Sequence, residues 1–404
     1  MTESDISQQM NRKYPLVRNS YLRYYLHGYD FFSSLLSLGQ QKRKIPFKKI
    51  LLRNPAAFGD VLYTLRLIRA IKAVNPDIFV GLLCGSWALP LVNECTDIDV
   101  VHVEDHWALN RRKISKKQKI THWLETRCSV LKEIKKQQYD AAVDLYYYYP
   151  SAALLLWQAG IPLRIGYNSH EGGPLYTHCV AWGNKDVHNI DYQAKLISEM
   201  GMDFADLTES QVAIDFSKDD ASLLGSHHLQ KKKYIVVSVG TGAPDREWSI
   251  ERWKELLRRM NISISVETAA QFVFVGAGQR EQAHINALLD YAGERGVSLC
   301  NRLSIPELMQ VIRNSFLFIG LESFAGHIAA MYKVPQVSIM HGATNQIQWQ
   351  PFANPDCIVI RKGLSCSPCS FPSKCERNND CMNISVNSVM DAMLKIRSKI
   401  LGAK

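Results

Sequence analysis

The sequence lacks the long apolar runs of membrane-spanning proteins. No uninterrupted apolar stretch reaches the ~18 residues that a bilayer-spanning helix needs. The nearest approach, residues 315–331, contains Glu322 and His327. The first residues, Met-Thr-Glu-Ser-Asp, include no apolar segment of the kind found in signal peptides. We therefore expect a cytoplasmic protein whose ten cysteines are mostly reduced.

Two familiar signatures are also missing. The apolar run at residues 272–275 is followed by Gly276-Ala277-Gly278, without the full G-x-G-x-x-G spacing of a dinucleotide fingerprint. No nucleic-acid recognition motif accompanies the basic residues of the chain. We therefore predict neither a dinucleotide cofactor nor a nucleic-acid partner.

Positive charge is concentrated in two segments of a chain whose net charge is +10. Residues 1–49 carry nine Lys or Arg against three acids, and residues 111–136 carry ten against two. Such clusters indicate an anionic partner, such as a membrane surface or a phosphorylated glycolipid, or else solvated helix faces. The first 45 residues, aromatic-rich at 21–26, are compatible with a membrane-surface helix or with a helix packed on the domain.

Short β-rich runs alternate with helical patterns along the whole chain. Strands separated by helices of 10–15 residues predict parallel sheets built from right-handed crossover units. With 404 residues there is room for two domains of roughly 200 residues each. We expect an α/β fold of two Rossmann-like, doubly wound domains facing a central cleft. The predicted strands are residues 49–53, 78–83, 100–103, 141–145 and 164–167, then 234–239, 271–275, 297–300, 316–319, 336–340 and 357–360.

Three segments are predicted from this alternation. A basic, aromatic N-terminal extension covers residues 1–47, and the first Rossmann-like domain covers 48–205. A polar, weakly periodic stretch near residues 203–233 then separates the halves. The second Rossmann-like domain covers 206–404 and ends in a cysteine-rich tail at 366–381.

The segment from Ile50 to Leu62 is the most informative part of the first half. An apolar run, a short loop with proline and glycine, and Asp60 at the start of an amphipathic segment predict a strand, a tight turn and a helix. A carboxylate at that point lies at the edge of an α/β sheet where ligands bind. Asp60 is therefore either a helix cap or a catalytic base.

The first loop of the second half carries residues suited to phosphate binding. Gly240-Thr241-Gly242 follows a strand, so backbone N–H groups and a hydroxyl can approach a phosphate closely, and Arg246 can add a bidentate contact. Ser249 precedes a predicted helix as its cap. Many strand-to-helix loops contain Gly and Thr, so this loop alone has little specificity.

Further polar residues occupy the next two helix starts. Glu281 either holds a ribose hydroxyl or serves the dipole of its own helix. Glu322, Ser323, Gly326 and His327 lie where a buried strand runs into a small, polar turn and an apolar helix, and free N–H groups there form an anion site. A lone histidine on such a helix is more often structural, but the neighbouring motifs favour a donor-binding role for His327.

In this order the motifs resemble glycosyltransferase family 9, the family of ADP-heptose:lipopolysaccharide heptosyltransferases. The resemblance runs across residues ~49–395, where six motifs follow the family's order. They are Phe58-Gly59-Asp60-Val61-Leu62, the strand at 160–167, the helix from His188 to Gly201, the segment 240–253, the turn 320–327 and the Cys-x-x-Cys tail.

The resemblance implies a GT-B fold with the acceptor in the first domain and the nucleotide-sugar in the second. It implies an inverting transfer with no cofactor for catalysis, in which Asp60 deprotonates the acceptor hydroxyl. Thr241, Gly242, Arg246 and the Ser323–His327 turn would stabilise the departing nucleoside diphosphate. The expected partners are ADP-heptose and an anionic glycolipid at the inner face of the inner membrane, with peripheral membrane contact.

Alternatives within and beyond this family stay open. Another nucleotide-sugar or a surface protein as acceptor would keep the fold, and a non-catalytic sugar-nucleotide-binding protein would keep the donor loops. The chain departs from the family at two points that bear on the donor. Arg246 stands where several relatives have Lys, and Glu322-Ser323-Phe324 replaces the usual Asp-Ser/Thr-Gly, so a bulky Phe324 narrows the approach to the backbone.

Four cysteines lie close together in the tail. Cys366, Cys369, Cys375 and Cys381 follow a C-x2-C-x5-C-x5-C pattern. Four thiols at this density are typical of a small tetrahedral site for zinc or iron. Only one C-x-x-C pair is present, unlike common zinc ribbons, so free thiols and disulfides stand as alternatives. In each case we expect a structural role.

Overall fold

The computed structural model contains two compact units, Met1–Ile214 and Asp215–Lys404. It describes residues 20–37, 47–110, 112–183, 186–203, 205, 221–264, 271–369 and 375–402. The predicted boundary between residues 205 and 206 borders on 206–220, which lie outside the described residues. Among the helices that are described, none is both long and apolar enough to cross a membrane.

The first unit is built on a six-stranded sheet whose paired strands are all parallel. Its spatial order is β3-β2-β1-β4-β5-β6, so the chain runs from β1 outward to one edge and then from β4 to the other. Apolar runs such as Ile50-Leu51-Leu52 are buried on both faces, as expected where helices cover a parallel sheet. The strands are β1 (Lys49–Arg53), β2 (Phe79–Cys84), β3 (Val100–Val103), β4 (Ala141–Asp144), β5 (Leu163–Tyr167) and β6 (His178–Val180).

In the described part of the first unit, six α-helices accompany this sheet. The longest, α4, begins with a capping box in which Ser115 and Gln118 satisfy each other's backbone N–H groups. The helices are α1 (Ser20–Leu36), α2 (Phe58–Val74), α3 (Leu89–Val92), α4 (Lys116–Gln137), α5 (Ala153–Gln158) and α6 (Asn189–Ser198).

The second unit repeats the same topology. Its sheet has the order β12-β11-β10-β7-β8-β9, again with parallel pairs and two outward runs from a central pair of strands. The strands are β7 (Tyr234–Ser238), β8 (Gln271–Val275), β9 (Gly296–Ser298), β10 (Leu317–Leu321), β11 (Gln336–Ile339) and β12 (Cys357–Ile360). The helices are α7 (Ala221–Ser226), α8 (Ile250–Ser263), α9 (Gln279–Ala292), α10 (Ile305–Arg313), α11 (Phe324–Met331), α12 (Gln346–Trp349) and α13 (Val386–Gly402).

The predicted α/β fold of two doubly wound halves is confirmed. Eleven predicted strands correspond to observed strands within about two residues at each end. Sequence analysis missed β6, because three residues at a sheet edge make no recognisable apolar run. It also missed the terminal helix α13, whose Val389 and Met393 enter the core of the second unit.

In both sheets the chain reverses its direction of growth between two central strands, β1 and β4 in one and β7 and β10 in the other. Ligands of such folds bind outside the carboxyl ends of the strands at this switch point. The residues that follow these four strands are therefore the first place to look for a site.

A buried ion pair closes the switch point of the first sheet. Arg53 ends β1 and Asp144 ends β4, and their side chains are 1% and 0% exposed with Nη1 and Oδ1 3.0 Å apart. The Asp144 Oδ2 atom accepts hydrogen bonds from the Ala152 N–H at 2.7 Å and the Tyr176 hydroxyl at 2.8 Å. The Arg53 Nη1 group also donates to the Pro150 carbonyl at 2.9 Å. This pair fixes the loop that leaves β4.

Removing one partner of this ion pair should lower the stability of the folded protein. We expect Asp144→Ala to lower the free energy of unfolding by about 3–5 kcal/mol, because it leaves the Arg53 charge buried and unpaired. The double variant Arg53→Met/Asp144→Leu should recover most of that loss, since it removes both charges. Denaturant unfolding curves of the wild type, the single variant and the double variant measure this. Equal losses for the single and double variants would contradict the assigned role of the ion pair.

Candidate active site

Asp60 lies in the first turn of α2, next to the switch point of the first sheet. The helix begins after Ala57, whose side chain makes no capping hydrogen bond. The half-buried Asp60 carboxylate instead accepts a hydrogen bond from Asn189, with Nδ2 and Oδ1 2.6 Å apart. Asn189 is fully buried at the start of α6. The carboxylate is therefore held from the side by another helix.

The backbone around Asp60 is held by a buried polar network. The Asp60 carbonyl accepts from Asn54 at 3.3 Å and from Gln193 at 3.4 Å. The Asn54 amide also donates to the Thr64 hydroxyl at 2.8 Å, and that hydroxyl donates to Gln193 Oε1 at 2.7 Å. Residues that directly follow β1 or lie in α2 and α6 thus fix the start of α2, which preorganises the carboxylate.

Aromatic side chains gather beside this carboxylate. Tyr147 and Tyr148 follow β4, and the Asp60 charge lies close enough to raise the pKa of both hydroxyls, after the larger effect of burial. Trp182 stacks between Tyr147 and Tyr192, with ring centroids 4.2 and 4.4 Å apart. The Tyr148 side chain is 38% exposed. An exposed ring next to a positioned carboxylate is a suitable surface for a sugar.

In the second unit, the loop after β7 carries three predicted donor residues. Thr241 is buried, whereas the space beside Gly242 is open. Arg246 lies in a short helical turn at Pro244–Arg246, and Ser249 caps α8 by accepting from the Arg252 N–H, which confirms the predicted helix start. The Arg280 guanidinium donates to the Thr241 carbonyl at 2.8 Å, so the loops after β7 and β8 meet.

Glu281 is folded back into its own loop. Its Oε2 atom accepts from the Ala277 N–H at 3.0 Å. A Cβ atom on Gly240 would lie 2.0 Å from the Glu281 carboxyl carbon, and one on Gly276 would lie 2.4 Å from Oε2. The absence of a side chain at both glycines thus makes room for the Glu281 carboxylate in this position. Burial raises the pKa of the Glu281 carboxyl.

Glu322 follows β10 and lies among positive charges. Burial raises the pKa of the Glu322 carboxyl, while Thr344, Arg246 and Arg361 act in the opposite direction. Burial and the charge of Arg246 also lower the pKa of His341, with Arg361 adding a smaller effect. The loops after β7, β10, β11 and β12 thus bring Arg246 and Arg361 to one edge of the sheet. Two guanidinium groups at a switch point can bind an anionic ligand.

The turn after β10 contains the remaining predicted residues. Ser323 is extended at the start of α11 and Gly326 lies within the first turns of that helix. The buried hydroxyls of Ser323 and Thr241 have no hydrogen-bond partner among the described residues. Orphaned buried groups at a ligand-binding edge are typical of a site that a ligand completes. His327 is buried, and burial lowers its pKa to about 4, so its ring is neutral at pH 7.

Sequence reasoning missed several residues of these two sites. Asn189 donates a hydrogen bond to Asp60 although the two residues are 129 positions apart, and no local sequence pattern predicts such a pair. His341, Thr344 and Arg361 were also missed, although the first two lie in the loop after β11 and the third directly follows β12. That position was the available signal, because every β-to-α loop of a parallel sheet opens at the same edge.

The four tail cysteines share one small cavity. Cys366, Cys369, Cys375 and Cys381 line a space of about 20 Å³ together with His341, and Cys381 Sγ lies 3.5 Å from His341 Nε2. The donor types suit zinc or iron. However, the described residues include no group of three or more His, Cys, Asp or Glu arranged to hold a metal ion. The predicted metal site therefore stays a prediction, and the thiols form no coordination shell as they lie.

Two consecutive units of this topology are the GT-B architecture. A family model described as glycosyltransferase family 9 (heptosyltransferase) matches residues 127–378, which is more than half of the chain. The chain belongs to this family of glycosyltransferases. The resemblance inferred from the order of the motifs is thereby confirmed.

Individual relatives are distant in sequence and close in fold. The lipopolysaccharide heptosyltransferase 3 of Escherichia coli is 22% identical over 303 residues, covering 73% of this chain and 84% of the relative. The solved ADP-heptose lps heptosyltransferase II of E. coli is 16% identical with a TM-score of 0.66, covering 86% of this chain and 98% of that one.

A third relative of known structure is described as containing iron. TibC is described as a dodecameric iron-containing heptosyltransferase in complex with ADP-D-beta-D-heptose, and it comes from enterotoxigenic E. coli. It is 12% identical to this chain with a TM-score of 0.52, covering 87% of this chain and 76% of its own. At these identities the solved structures establish the fold.

The buried neutral His327 should make the second unit sensitive to acid. Its native pKa of about 4 lies below the ordinary value of 6.5, so full stability is present above pH 6.5. As the pH falls from 6.5 to 4, His327 is protonated in the unfolded state but stays neutral in the folded state. The free energy of unfolding therefore falls by up to about 3 kcal/mol.

We expect His327→Gln to remove that part of the pH dependence. Denaturant unfolding between pH 4 and pH 7.5 measures the difference between variant and wild type. The matched control is His228→Asn, since His228 is exposed and has a φ of 55°, which Asn tolerates. Parallel pH profiles for wild type and His327→Gln would show that His327 carries no such linkage.

Proposed function

We propose that this chain is an inverting glycosyltransferase that transfers a heptose from ADP-heptose to an anionic lipopolysaccharide-core glycolipid. The observation that carries the proposal is the Asp60 carboxylate, which is held by Asn189 after the central strand of the first sheet, at the edge where ligands of such folds bind. Family membership supports the reaction class. The relatives named for lipopolysaccharide heptose transfer and for ADP-heptose support the acceptor and the donor.

Asp60 acts as the general base in this proposal. A sugar hydroxyl is a poor nucleophile until a positioned carboxylate takes its proton as the new bond forms. The acceptor oxygen bonds to the anomeric carbon, the bond from that carbon to the diphosphate oxygen breaks, and the electron pair leaves with the nucleoside diphosphate. Attack from the face opposite the leaving group inverts the anomeric centre.

The second unit supplies groups for the departing diphosphate. Arg246 and Arg361 provide positive charge, and Thr241 and Ser323 provide hydroxyls that lack protein partners in the described chain. Groups fixed before the reaction stabilise developing negative charge without reorganisation. Gly242 leaves room for close backbone approach, and His327, neutral at pH 7, contributes packing rather than charge. We assign Glu281 to packing between the loops after β7 and β8 rather than to a ribose contact.

The first unit supplies the acceptor side. The exposed ring of Tyr148 lies beside the Asp60 charge and can pack against a sugar face. The basic segment 111–136 includes most of α4, whose lysines are largely exposed, and this charge suits a phosphorylated glycolipid. Such an acceptor would hold the enzyme at a membrane surface.

No cofactor enters the proposed chemistry. The tail thiols would be the ligands of a structural zinc or iron ion, and the iron named for TibC supports that prediction. Their position next to the segment 381–384 links them to the donor side. The Trp248 indole N–H donates to the Ile384 carbonyl at 3.0 Å and Arg252 donates to the Met382 carbonyl at 3.1 Å. A filled site would therefore stiffen the start of α8.

We expect Asp60→Asn to lower kcat by about 10²- to 10⁴-fold while leaving the affinity for the donor unchanged, because the amide cannot take the hydroxyl proton. The measurement is ADP release by purified enzyme supplied with ADP-heptose and a lipid A–core acceptor. Calorimetric titration with ADP checks donor binding. Full activity of Asp60→Asn would exclude Asp60 as the base.

A carboxylate-to-amide change elsewhere is the control for this experiment. Glu307→Gln alters a first-turn carboxylate of α10 that only completes a capping box with Ser304, and glutamine preserves that motif. We expect normal turnover for this control. Absence of ADP release by the wild type with any lipopolysaccharide-core acceptor would overturn the proposed acceptor, and a screen against other nucleotide-sugars would then identify the donor.

Replacing Arg246 should weaken donor binding. We expect Arg246→Gln to raise the Kd for ADP by about 10- to 100-fold, since a hydrogen bond to a charged group contributes about 1.5–3 kcal/mol. Arg246→Lys should give an intermediate value because it keeps the charge and loses the bidentate geometry. Isothermal titration calorimetry measures both. Arg258→Gln is the control, because Arg258 pairs with Glu255 on the exposed side of α8, and an equal loss there would contradict a local role for Arg246.

A further inference from the structure

Helix α1 presents an aromatic face to solvent. Seven of the thirteen large hydrophobic side chains that are exposed in the described chain belong to this one helix. An apolar groove of about 400 Å³ runs between this helix and Leu154 of α5. We call the set the α1 outer face, and its members are Tyr21, Tyr24, Tyr25, Phe31, Phe32, Leu35 and Leu36.

The two sides of α1 have different roles. At 100° per residue these seven positions fall on one side of the helix, and the buried Leu26, Asp30 and Ser33 fall on the other. The Asp30 carboxylate accepts a hydrogen bond from the Gly172 N–H at 2.7 Å, which attaches the helix to the loop between β5 and β6. The aromatic side is therefore not what holds α1 on its unit.

The composition of this face favours a bilayer interface. Three of its seven side chains are tyrosines, which have an apolar ring and a polar hydroxyl and concentrate at the level of lipid headgroups. None of the seven carries a charge. Basic residues flank the helix in the sequence, at Arg12, Lys13 and Arg18 before it and at residues 42–49 after it. Apolar side chains between basic flanks are the pattern of helices that lie on anionic membranes.

We propose that the α1 outer face docks on a membrane surface containing anionic lipids. A second copy of the chain is the less favoured occupant, because it would bring its own basic flanks against those of the first. The proposal goes beyond the transfer reaction. It depends neither on the donor nor on Asp60 and is tested by binding alone.

The attachment of α1 connects this surface to the acceptor side. The loop that receives Asp30 also contains Ser169, which donates to the Tyr147 carbonyl at 2.7 Å, and His170, whose Nε2 lies 3.0 Å from the Tyr146 carbonyl. Tyr147 in turn lies close to Asp60. A membrane bound by α1 would therefore contact the unit that contains the candidate base Asp60. It would lie next to the loop that holds the backbone of Tyr146 and Tyr147.

Vesicle flotation with the full chain tests the proposal. We expect the wild type to float with vesicles of mixed phosphatidylglycerol and phosphatidylcholine, to bind phosphatidylcholine vesicles less, and to be released in part by raised salt. Tyr24→Ser/Tyr25→Ser/Phe32→Ser should weaken partitioning by about tenfold or more, because three exposed rings no longer enter the interface. Thermal unfolding should stay close to wild type, since these rings contribute little packing.

Two further variants decide the outcome. Val74→Ser/Ile262→Ser/Ile347→Ser is the matched set. It removes three exposed apolar side chains from α2, α8 and α12, and this variant should bind vesicles like wild type. Tyr21→Glu, at a side chain that is 86% exposed, adds a negative charge to the face and should weaken binding even if the triple variant unfolds.

Three results would overturn the proposal. They are a wild type that does not float with the anionic vesicles, a Tyr21→Glu variant that floats as well as wild type, and a matched set that loses binding as the triple variant does. A dimer that sedimentation detects in the wild type and not in Tyr21→Glu, without vesicle binding, would assign the face to a second copy.

Discussion

The buried ion pair between Arg53 and Asp144 is the constraint on which the first unit's site depends. It joins the carboxyl ends of the two strands between which the sheet reverses its growth. Asp144 also holds Ala152 and Tyr176, so one carboxylate sets the path of the loop that carries Tyr147 and Tyr148. A buried charge pair adds little net stability against an apolar alternative, but it permits only one arrangement of its partners. Here that arrangement puts an aromatic surface beside Asp60.

The second unit has the same topology but different side chains at the carboxyl ends of its central strands. In the part of it that the structure describes, the strand ends bear hydroxyls without partners, a buried carboxyl and two guanidinium groups, instead of one closed pair. A closed pair suits a framework that must stay fixed, whereas unsatisfied groups suit an edge that awaits a charged ligand. The duplicated fold therefore supplies position, and the side chains after each strand supply the chemistry.

The sequence was a good guide where the signal is local. The β1 strand was predicted with its observed limits because Ile50-Leu51-Leu52 is a continuous apolar run, and the Ser249 cap because its pattern lies within four residues. Pairings over long separations had no such signal, which is why Asn189, Asp144 and Arg361 escaped notice. Asp60 was predicted as a catalytic base or a helix cap, and the structure puts it in the first turn of α2, three residues after the N-cap residue Ala57. The alternation of predicted strands and helices was enough to predict two doubly wound sheets, because right-handed crossovers allow few other arrangements of parallel strands.

The packing of Glu281 has a consequence for how the donor loops can change over time. Its carboxylate occupies the volume that a Cβ atom would need at Gly240 and at Gly276. A side chain at either glycine would displace the Glu281 carboxylate from this position, and shortening the glutamate would leave a void between two loops. The three positions are therefore coupled through the placement of one carboxylate. Among relatives we expect them to co-vary, with larger residues at 240 or 276 only where position 281 is small.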